Sequence, residues 1–536
     1  MGGSTDDRDA GLPSTRIRPG TALAIAIAAW FVVFVARLAG PDDLLTRDQE
    51  RVAAYVLDIV ENGNWLAQED AEGNFASKPP LFNWLAALGT LAFGDTGRVA
   101  MAFPSWCATL LCALLVLGVT ARAFGRSAGA WAAILYFASM LGLRQVLILR
   151  TDALFQGLVF LAALLAFSAF ERRRSWLPFW IAATFATLTK GPLVLVLATL
   201  GLLAFVRERP FRPRLREHAL GLAILVGVCG AWFLAANLAT EGRAWQKLIV
   251  DELVGHTLGT RENASPPGLH PYRAPAWFVT RLLPMSALAI LAFVRVLRAP
   301  RIGAPASRLE RFFAVQCLAA VVMFAFASEH RFEQLMPLVP GAALLAGHEL
   351  SRRIAGLSSA TQARLRVGAV AVLGFTAHAY LSWWDSRTPP LVQSRNVAEF
   401  AAELRPHFRG EERLHRFDAP RGLDAHLARF ERPLEGDGLR TRLAERDRPF
   451  WIAVVDEAAF RAQLGDAAAT RLRVLRRHPY LGETTLSILS DQAALPPASP
   501  APTPPLLPLG AFVLTVSVLL GVAVRRTLAT LRAATD

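Results

Sequence analysis

Long apolar runs broken by short polar segments set the character of this chain. A helix needs roughly 17 to 25 residues to cross the hydrocarbon of a bilayer. Runs of that order lie near residues 20–38, 100–119, 128–147, 153–170, 175–189, 192–206, 218–237, 276–297, 312–328, 335–350, 366–383 and 507–524. The pattern predicts a polytopic α-helical membrane protein with about twelve transmembrane helices. The first run follows Arg16 and Arg18 and shows no small-residue cleavage site, so it is expected to stay in place as an anchor.

Two segments depart from this pattern. In the loop 39–99, Val52, Tyr55, Val56, Ile59 and Val60 recur at helical spacing, predicting an amphipathic helix along the membrane surface. Its phase puts Asp48 at the head of the buried stripe, lets Arg51 share a face with Asp48, and turns Glu50 away by roughly 200°. Asn62-Gly63-Asn64 ends this helix, and Pro79-Pro80 restarts the chain into an interfacial stretch, Leu81 to Phe93.

The second departure, residues 384–500, is charged and soluble in character. Helical patterns at 396–405 and 456–464 alternate with strand-like runs at Trp451 to Val455, Leu472 to Leu475 and Thr484 to Leu489, predicting a small extracytoplasmic α/β domain. It holds no G-x-G-x-x-G and no P-loop, so no nucleotide site is expected. The proline-rich link Pro496 to Pro508 reads as a stiff tether to the last span. The expected organisation is a membrane domain, 1–383, with outer loops 39–99 and 238–275, then the α/β domain, then a tether and final helix, 501–536.

Composition supports the membrane reading: 53% of residues are hydrophobic, 19% are charged, and the mean hydropathy is +0.35. A formal charge of +14 would suggest nucleic acid for a soluble protein. Here the arginines cluster in alternate loops: Arg122 and Arg126, Arg172 to Arg174, Arg207 to Arg216, Arg295 to Arg311, Arg352 to Arg366, and Arg525-Arg526. The positive-inside rule makes those loops and both termini cytoplasmic, so membrane lipids and no nucleic acid are the expected partners. The four cysteines lie inside apolar runs and form neither a disulfide framework nor a CxxC pattern.

That topology gathers unusual residues on the outer face. Of 57 Lys plus Arg, only Lys78, Lys190 and Lys247 are lysines, and all three fall on that side. An outward-facing enzyme has no ATP or nucleotide sugar at hand, so an activated group must arrive on a lipid, typically through a phosphate. Displacing that phosphate needs a base for the acceptor hydroxyl and cations for the departing charge. Asp48 suits the base, and Arg51, Lys78 and Lys190 suit the phosphate. Asp152, opening a span after Thr151, is a second catalytic candidate. The loop 238–275 adds Glu252, His256, His270 and Arg273, and a later outer turn adds His330 and Arg331. With Glu50, these are read as candidate substrate contacts. No tight ligand spacing appears, and whether a divalent metal takes part is left open. Arg144 and Arg150 are read as interfacial anchors.

The ordered set Arg47-Asp48-Gln49-Glu50-Arg51, Lys78-Pro79-Pro80 with Trp84, Thr151-Asp152, Leu188-Thr189-Lys190-Gly191-Pro192 and Pro337-Leu338-Val339-Pro340 resembles the GT-C class of membrane glycosyltransferases. The similar branch is the bacterial one that includes the aminoarabinose transferase of lipid A and the protein mannosyltransferase-like enzymes. The resemblance implies inverting transfer of a sugar from a polyprenyl-phosphate donor to a cell-envelope acceptor, whether lipid A, glycolipid, polysaccharide or protein. It implies a multi-pass bacterial inner-membrane enzyme, with Asp48 as catalytic carboxylate and Lys78 on the donor phosphate. The chain departs from the branch at Gln49, Ser77 and Glu333-Gln334, where the family commonly has Glu, Glu and Arg-Tyr. A transporter or flippase of lipid-linked sugars and a non-catalytic binding protein remain alternatives. A transporter would be expected to show paired halves and mid-membrane charges.

Overall fold

The computed structural model describes residues 17–40, 44, 47–207, 214–255, 268–299, 305–384, 387–445, 448–464 and 470–500. The predicted span 507–524, His256 and the tether beyond residue 500 lie outside them. Among the described residues, five helices are long and apolar enough to cross a membrane: α1 (Pro19–Ala39), Phe103–Phe124, Asp152–Arg172, Leu215–Ala239 and Ser359–Trp383. A sixth candidate is the pair Arg273–Arg281 and Met285–Arg298. The sequence reads that pair as one span, but it is bent by 115°, with Pro284 in the break. Proline has no N–H to continue the helical ladder.

Apart from the 21-residue helix Pro305–Ala325, the other apolar runs among the described residues form shorter or composite helices. Residues 192–206 divide into an α-helix, Leu193–Thr199, and a tighter turn, Leu200–Phe205. Residues 335–350 divide at Leu338–Val339 in the same way. The core is aromatic and aliphatic, with Tyr136, Phe137, Phe160, Phe312 and Phe313 fully buried. Small residues let two central helices approach closely. A Cβ on Gly347, in Val339–Arg353, would sit 2.5 Å from the Ala132 nitrogen of Arg126–Ala138. With little hydrophobic drive between helices in lipid, such close packing holds a bundle together.

Charge gathers at the two ends of the helix Asp152–Arg172. At its C-terminal end, Glu171 accepts from Arg308 at 2.9 Å. Nearby, Arg295 bridges Glu310 and Glu349, His348 lies 2.8 Å from Glu310, and Arg353 donates to Glu349 at 2.9 Å. Arginines that the sequence assigns to orientation thus also tie helix ends together. The start of the helix carries the candidate site.

The loop after α1 forms the helix α2 (Arg47–Asn62) and the helix α3 (Leu81–Phe93). The buried stripe of α2 is headed by Gln49, 2% exposed, and continues through Ala53, Val56, Leu57 and Ile59. This corrects the predicted phase by one residue: Asp48 turns outward, with a side chain 52% exposed. The apolar set fits either phase, and a buried amide with a partner costs less than a buried carboxylate.

The C-terminal segment forms a four-stranded sheet in the order β1 (Leu414–Phe417), β2 (Trp451–Val454), β4 (Thr484–Ser490), β3 (Arg473–Leu481). The β1–β2 pair is parallel and the other two are antiparallel. Helices Pro389–Leu404, Gly422–Leu427 and Glu457–Leu464 accompany it. The strand β1 and the helix Gly422–Leu427 are not among the predicted elements; each is too short for a periodic signal. On β1, burial pushes the His415 imidazole down to about 4, and the Arg442 and Arg413 guanidiniums push the same way, outweighing Glu431 at 3.8 Å. A folded-state value below the unfolded one means that the unfolded chain binds more protons as pH falls, so this contribution is present above pH ~6.5 and lost toward pH ~4. Thermal unfolding in detergent should therefore show a larger loss of stability across that window in the wild type than in His415→Gln.

Candidate active site

The site is built around a short turn. Ser105, fully buried, donates to the Ile148 carbonyl at 2.6 Å, and the Leu149 N–H donates to the buried Gln49 side chain of α2 at 2.9 Å. These bonds fix the backbone just before Arg150. From there the guanidinium of Arg150 spreads to three carboxylates on three different elements. Its Nε lies 3.1 Å from Asp152, its Nη1 donates to Glu333 at 3.2 Å, and its Nη2 lies 3.9 Å from Asp48. Burial works against the charge, but Asp152, Glu333 and Asp48 together push the Arg150 pKa up.

Asp152 is 2% exposed. Its other oxygen accepts from Lys190, whose ammonium also lies 5.9 Å from the Phe155 ring. Lys190 is the last residue of the helix Leu177–Lys190, where a cation favours the helix dipole. Gly191 ends that helix at φ +96°, a backbone angle that glycine adopts without a steric penalty. Thr151 makes no side-chain cap, so Asp152 is engaged with Arg150 and Lys190 rather than serving as part of a helix cap.

Lys78 pairs with Glu252 at 2.5 Å and also acts electrostatically on Asp152. Glu252 stands on a wide π-type helical segment, Gln246–Val254, a geometry common at functional sites. Beside this pair is Tyr55 of α2. Burial and Asp70 raise its phenol well above the usual range, Arg51 and Arg421 oppose this, and Glu252 adds to it. Arg51 therefore shares this charged neighbourhood.

Asp48, Arg51, Lys78, Asp152, Lys190 and Glu252 are thus brought together, by direct contact or through a shared neighbour. Other predicted contacts are elsewhere. Glu50 lies beside the sheet unit, where a Cβ on Gly422 would meet its Oε1 at 3.1 Å. The His270 and His330 rings lie 6.4 Å apart, His330 Nε2 is 3.3 Å from the Ala325 carbonyl, and the Arg273 N–H donates to the His270 carbonyl. Arg331 is 55% exposed beside Glu329. Among the described contacts, this group meets the Arg150 cluster only through the neighbouring Glu333. No group of three or more His, Cys, Asp or Glu that could hold a metal occurs among the described residues.

Arg150 and Glu333 are the residues sequence reasoning missed. Arg150 stands two residues before Asp152 and Glu333 lies in a predicted outer turn, so opposite charges at one membrane face were the available signal.

Comparison with known proteins shows what this chain is similar to. Residues 77–233 match the family model described as dolichyl-phosphate-mannose-protein mannosyltransferase, a stretch that includes Lys78, Arg150, Asp152 and Lys190 but not Asp48 or Glu333. The structure has an ArnT-like fold. It superposes on the crystal structure of ArnT from Cupriavidus metallidurans bound to undecaprenyl phosphate with a TM-score of 0.67 at 17% identity, covering 90% of this chain and all of that one. The apo form gives 0.64 at 16% identity, covering 88% and 98%. In sequence, the chain is 24% identical to an undecaprenyl phosphate-alpha-4-amino-4-deoxy-L-arabinose arabinosyl transferase of Shewanella sediminis, over 60% of its own length and 59% of that protein. A Pseudomonas savastanoi protein of the same name is 27% identical over 50% and 49%. The chain thus matches about half to three fifths of these curated relatives.

Replacing Arg150 with methionine leaves Asp152 and Glu333 without their shared cation. It should cost about 3 kcal/mol of stability, read by denaturant unfolding in detergent. Arg150→Lys should recover only part of it, because an ammonium is a point charge and not a fork.

Proposed function

We propose that this chain is an inverting glycosyltransferase that moves a sugar from a polyprenyl-phosphate carrier to a cell-envelope acceptor. It would act at the extracytoplasmic face of a bacterial inner membrane, within a bundle of about twelve spans. The observation that carries the reading is the convergence of an exposed carboxylate, Asp48, with Arg150, Asp152 and Lys190 at one end of an ArnT-like fold, beside the Lys78–Glu252 pair.

The two aspartates take different parts. Asp152 is buried and already occupied by Arg150 and Lys190, so it positions those cations. Asp48 reaches solvent and meets Arg150 only loosely at 3.9 Å, which leaves it able to accept a proton. In the proposed step, Asp48 takes the proton of an acceptor hydroxyl as that oxygen bonds to the sugar's anomeric carbon. The bond from that carbon to the carrier's phosphate oxygen breaks, and the electron pair leaves with the phosphate. Lys78 and Arg51 balance the charge of the departing polyprenyl phosphate, and Lys190 adds to the positive field while holding Asp152. Such electrostatic stabilisation is commonly the largest catalytic contribution.

In this reading the Glu252 carboxylate, which pairs with Lys78 at 2.5 Å, competes with the donor phosphate for that cation. Glu252→Gln should therefore tighten binding of undecaprenyl phosphate severalfold, the range available to a partly exposed ion pair, measured by titration of the purified protein in detergent.

The decisive assay supplies the purified chain with undecaprenyl-phosphate aminoarabinose and lipid A. Asp48→Asn should lower transfer by about 10²- to 10⁴-fold while retaining undecaprenyl phosphate binding. Unchanged turnover would remove Asp48 from the mechanism, and carrier movement across a bilayer without a new glycosidic product would favour a transporter.

A further inference from the structure

Between α2 and Lys78 lies a compact hairpin whose anchors come from three parts of the chain. Its arms join through the Ala76 N–H donating to the Gln68 carbonyl and the Asp70 N–H donating to the Asn74 carbonyl, both at 2.9 Å. Its base is held by Asp58 of α2, which accepts from the Glu69 N–H at 2.9 Å and from Asn64 at 2.8 Å. Only Ser77 separates the hairpin from Lys78, and Pro79-Pro80 restricts the backbone on the other side. Lys78 therefore stands where the hairpin puts it.

The tip of the hairpin is held from the sheet unit. Asp70 is fully buried; its Oδ1 accepts from the Glu72 and Asn74 N–H groups, and its Oδ2 lies 3.3 Å from Arg421. Arg421, 11% exposed, also pairs with Glu72. It immediately precedes the helix Gly422–Leu427, which lies against α2 through Glu50. Glu69 is shared between Arg432 of the sheet unit at 3.3 Å and Arg243 at 2.7 Å. Arg432 is 67% exposed and contributes little. The contact between Arg421 and Asp70 is the buried one, and an aspartate left there without its cation would no longer hold one hairpin geometry. Tyr55 feels Asp70, Arg51, Arg421 and Glu252 together, so Arg421 belongs to the same electrostatic neighbourhood as the partner of Lys78.

We propose that Arg421 is a positioning residue for the transfer site: supplied by the sheet unit, it fixes the hairpin 68–76 and thereby the place of Lys78. This deepens the function proposed above and gives the sheet unit a role in donor binding. Arg421 acts through Asp70 and the hairpin, not through contact with Asp48 or Lys78.

The test uses the full chain in detergent, comparing wild type with Arg421→Ala, Arg421→Lys and the milder Glu72→Gln. Hydrogen–deuterium exchange is followed at residues 68–78, and undecaprenyl phosphate alone is the binding probe. Arg421→Ala should speed exchange in the hairpin, with α1 and the helix Asp152–Arg172 unchanged. It should weaken binding of the probe by about tenfold or more, as displacement of a contacting group does. In the transfer assay, KM for the donor should rise more than kcat falls. Arg421→Lys should restore part of the binding, and Glu72→Gln should give a smaller change in the same direction. Unaltered hairpin exchange in Arg421→Ala, or faster exchange with unaltered probe binding, would overturn the proposal. Failure of the wild type to bind the probe would instead overturn the functional reading, while the exchange data would still decide whether Arg421 fixes the hairpin.

Discussion

One guanidinium holds the candidate site together. Arg150 reaches carboxylates on α2, on the helix Asp152–Arg172 and on the turn Phe332–Leu338, segments far apart in sequence. A lysine could not span these directions, because its charge is a single point, whereas the planar fork offers several N–H groups in fixed directions. Where water is scarce, unpaired charges are costly. The helix Asp152–Arg172 and the turn Phe332–Leu338 are therefore constrained to meet at one place, and the bond from Leu149 to Gln49 brings α2 and Asp48 beside them.

The same network separates two carboxylates that sequence alone cannot rank. Asp152 is enclosed and shared by two cations, while Asp48 has one loose contact and an open side. An aspartate clamped on both oxygens orients its neighbours; one with a free side can exchange a proton. The ionic cluster of Arg295, Glu310, His348 and Glu349 belongs to the other end of the bundle, near the far end of the helix that Asp152 begins. Between these charged ends the interior is aromatic and small-residue packing.

Much of this was readable from the residues. Apolar run lengths locate the long helices, because crossing lipid demands about 20 consecutive apolar residues. Sequence also singles out Asp48, Lys78, Asp152 and Lys190: the lysines by their rarity among 57 basic residues, and all four by the chemistry that the outer face would have to carry. The phase of α2 differs by one residue from the sequence expectation because its apolar positions tolerate either setting, and the bond from Leu149 to Gln49 favours the observed one. Arg150 reads from sequence only as an interfacial anchor, because its partners Asp48 and Glu333 come from distant segments. The strand β1 and the helix Gly422–Leu427 are too short to show periodicity and exist through their packing against neighbours.

The hairpin 68–76 joins parts of the chain that would otherwise look like separable modules. Its acidic side chains face Arg243, just after the helix Leu215–Ala239, and Arg421 and Arg432 of the sheet unit at once. The C-terminal unit is therefore not a cassette that can be exchanged between relatives on its own. A chimera that kept this hairpin but imported a foreign sheet would bury Asp70 opposite a surface evolved for another loop. The natural seam for grafting runs around both pieces together, so divergence in one is expected to be matched by compensating change in the other.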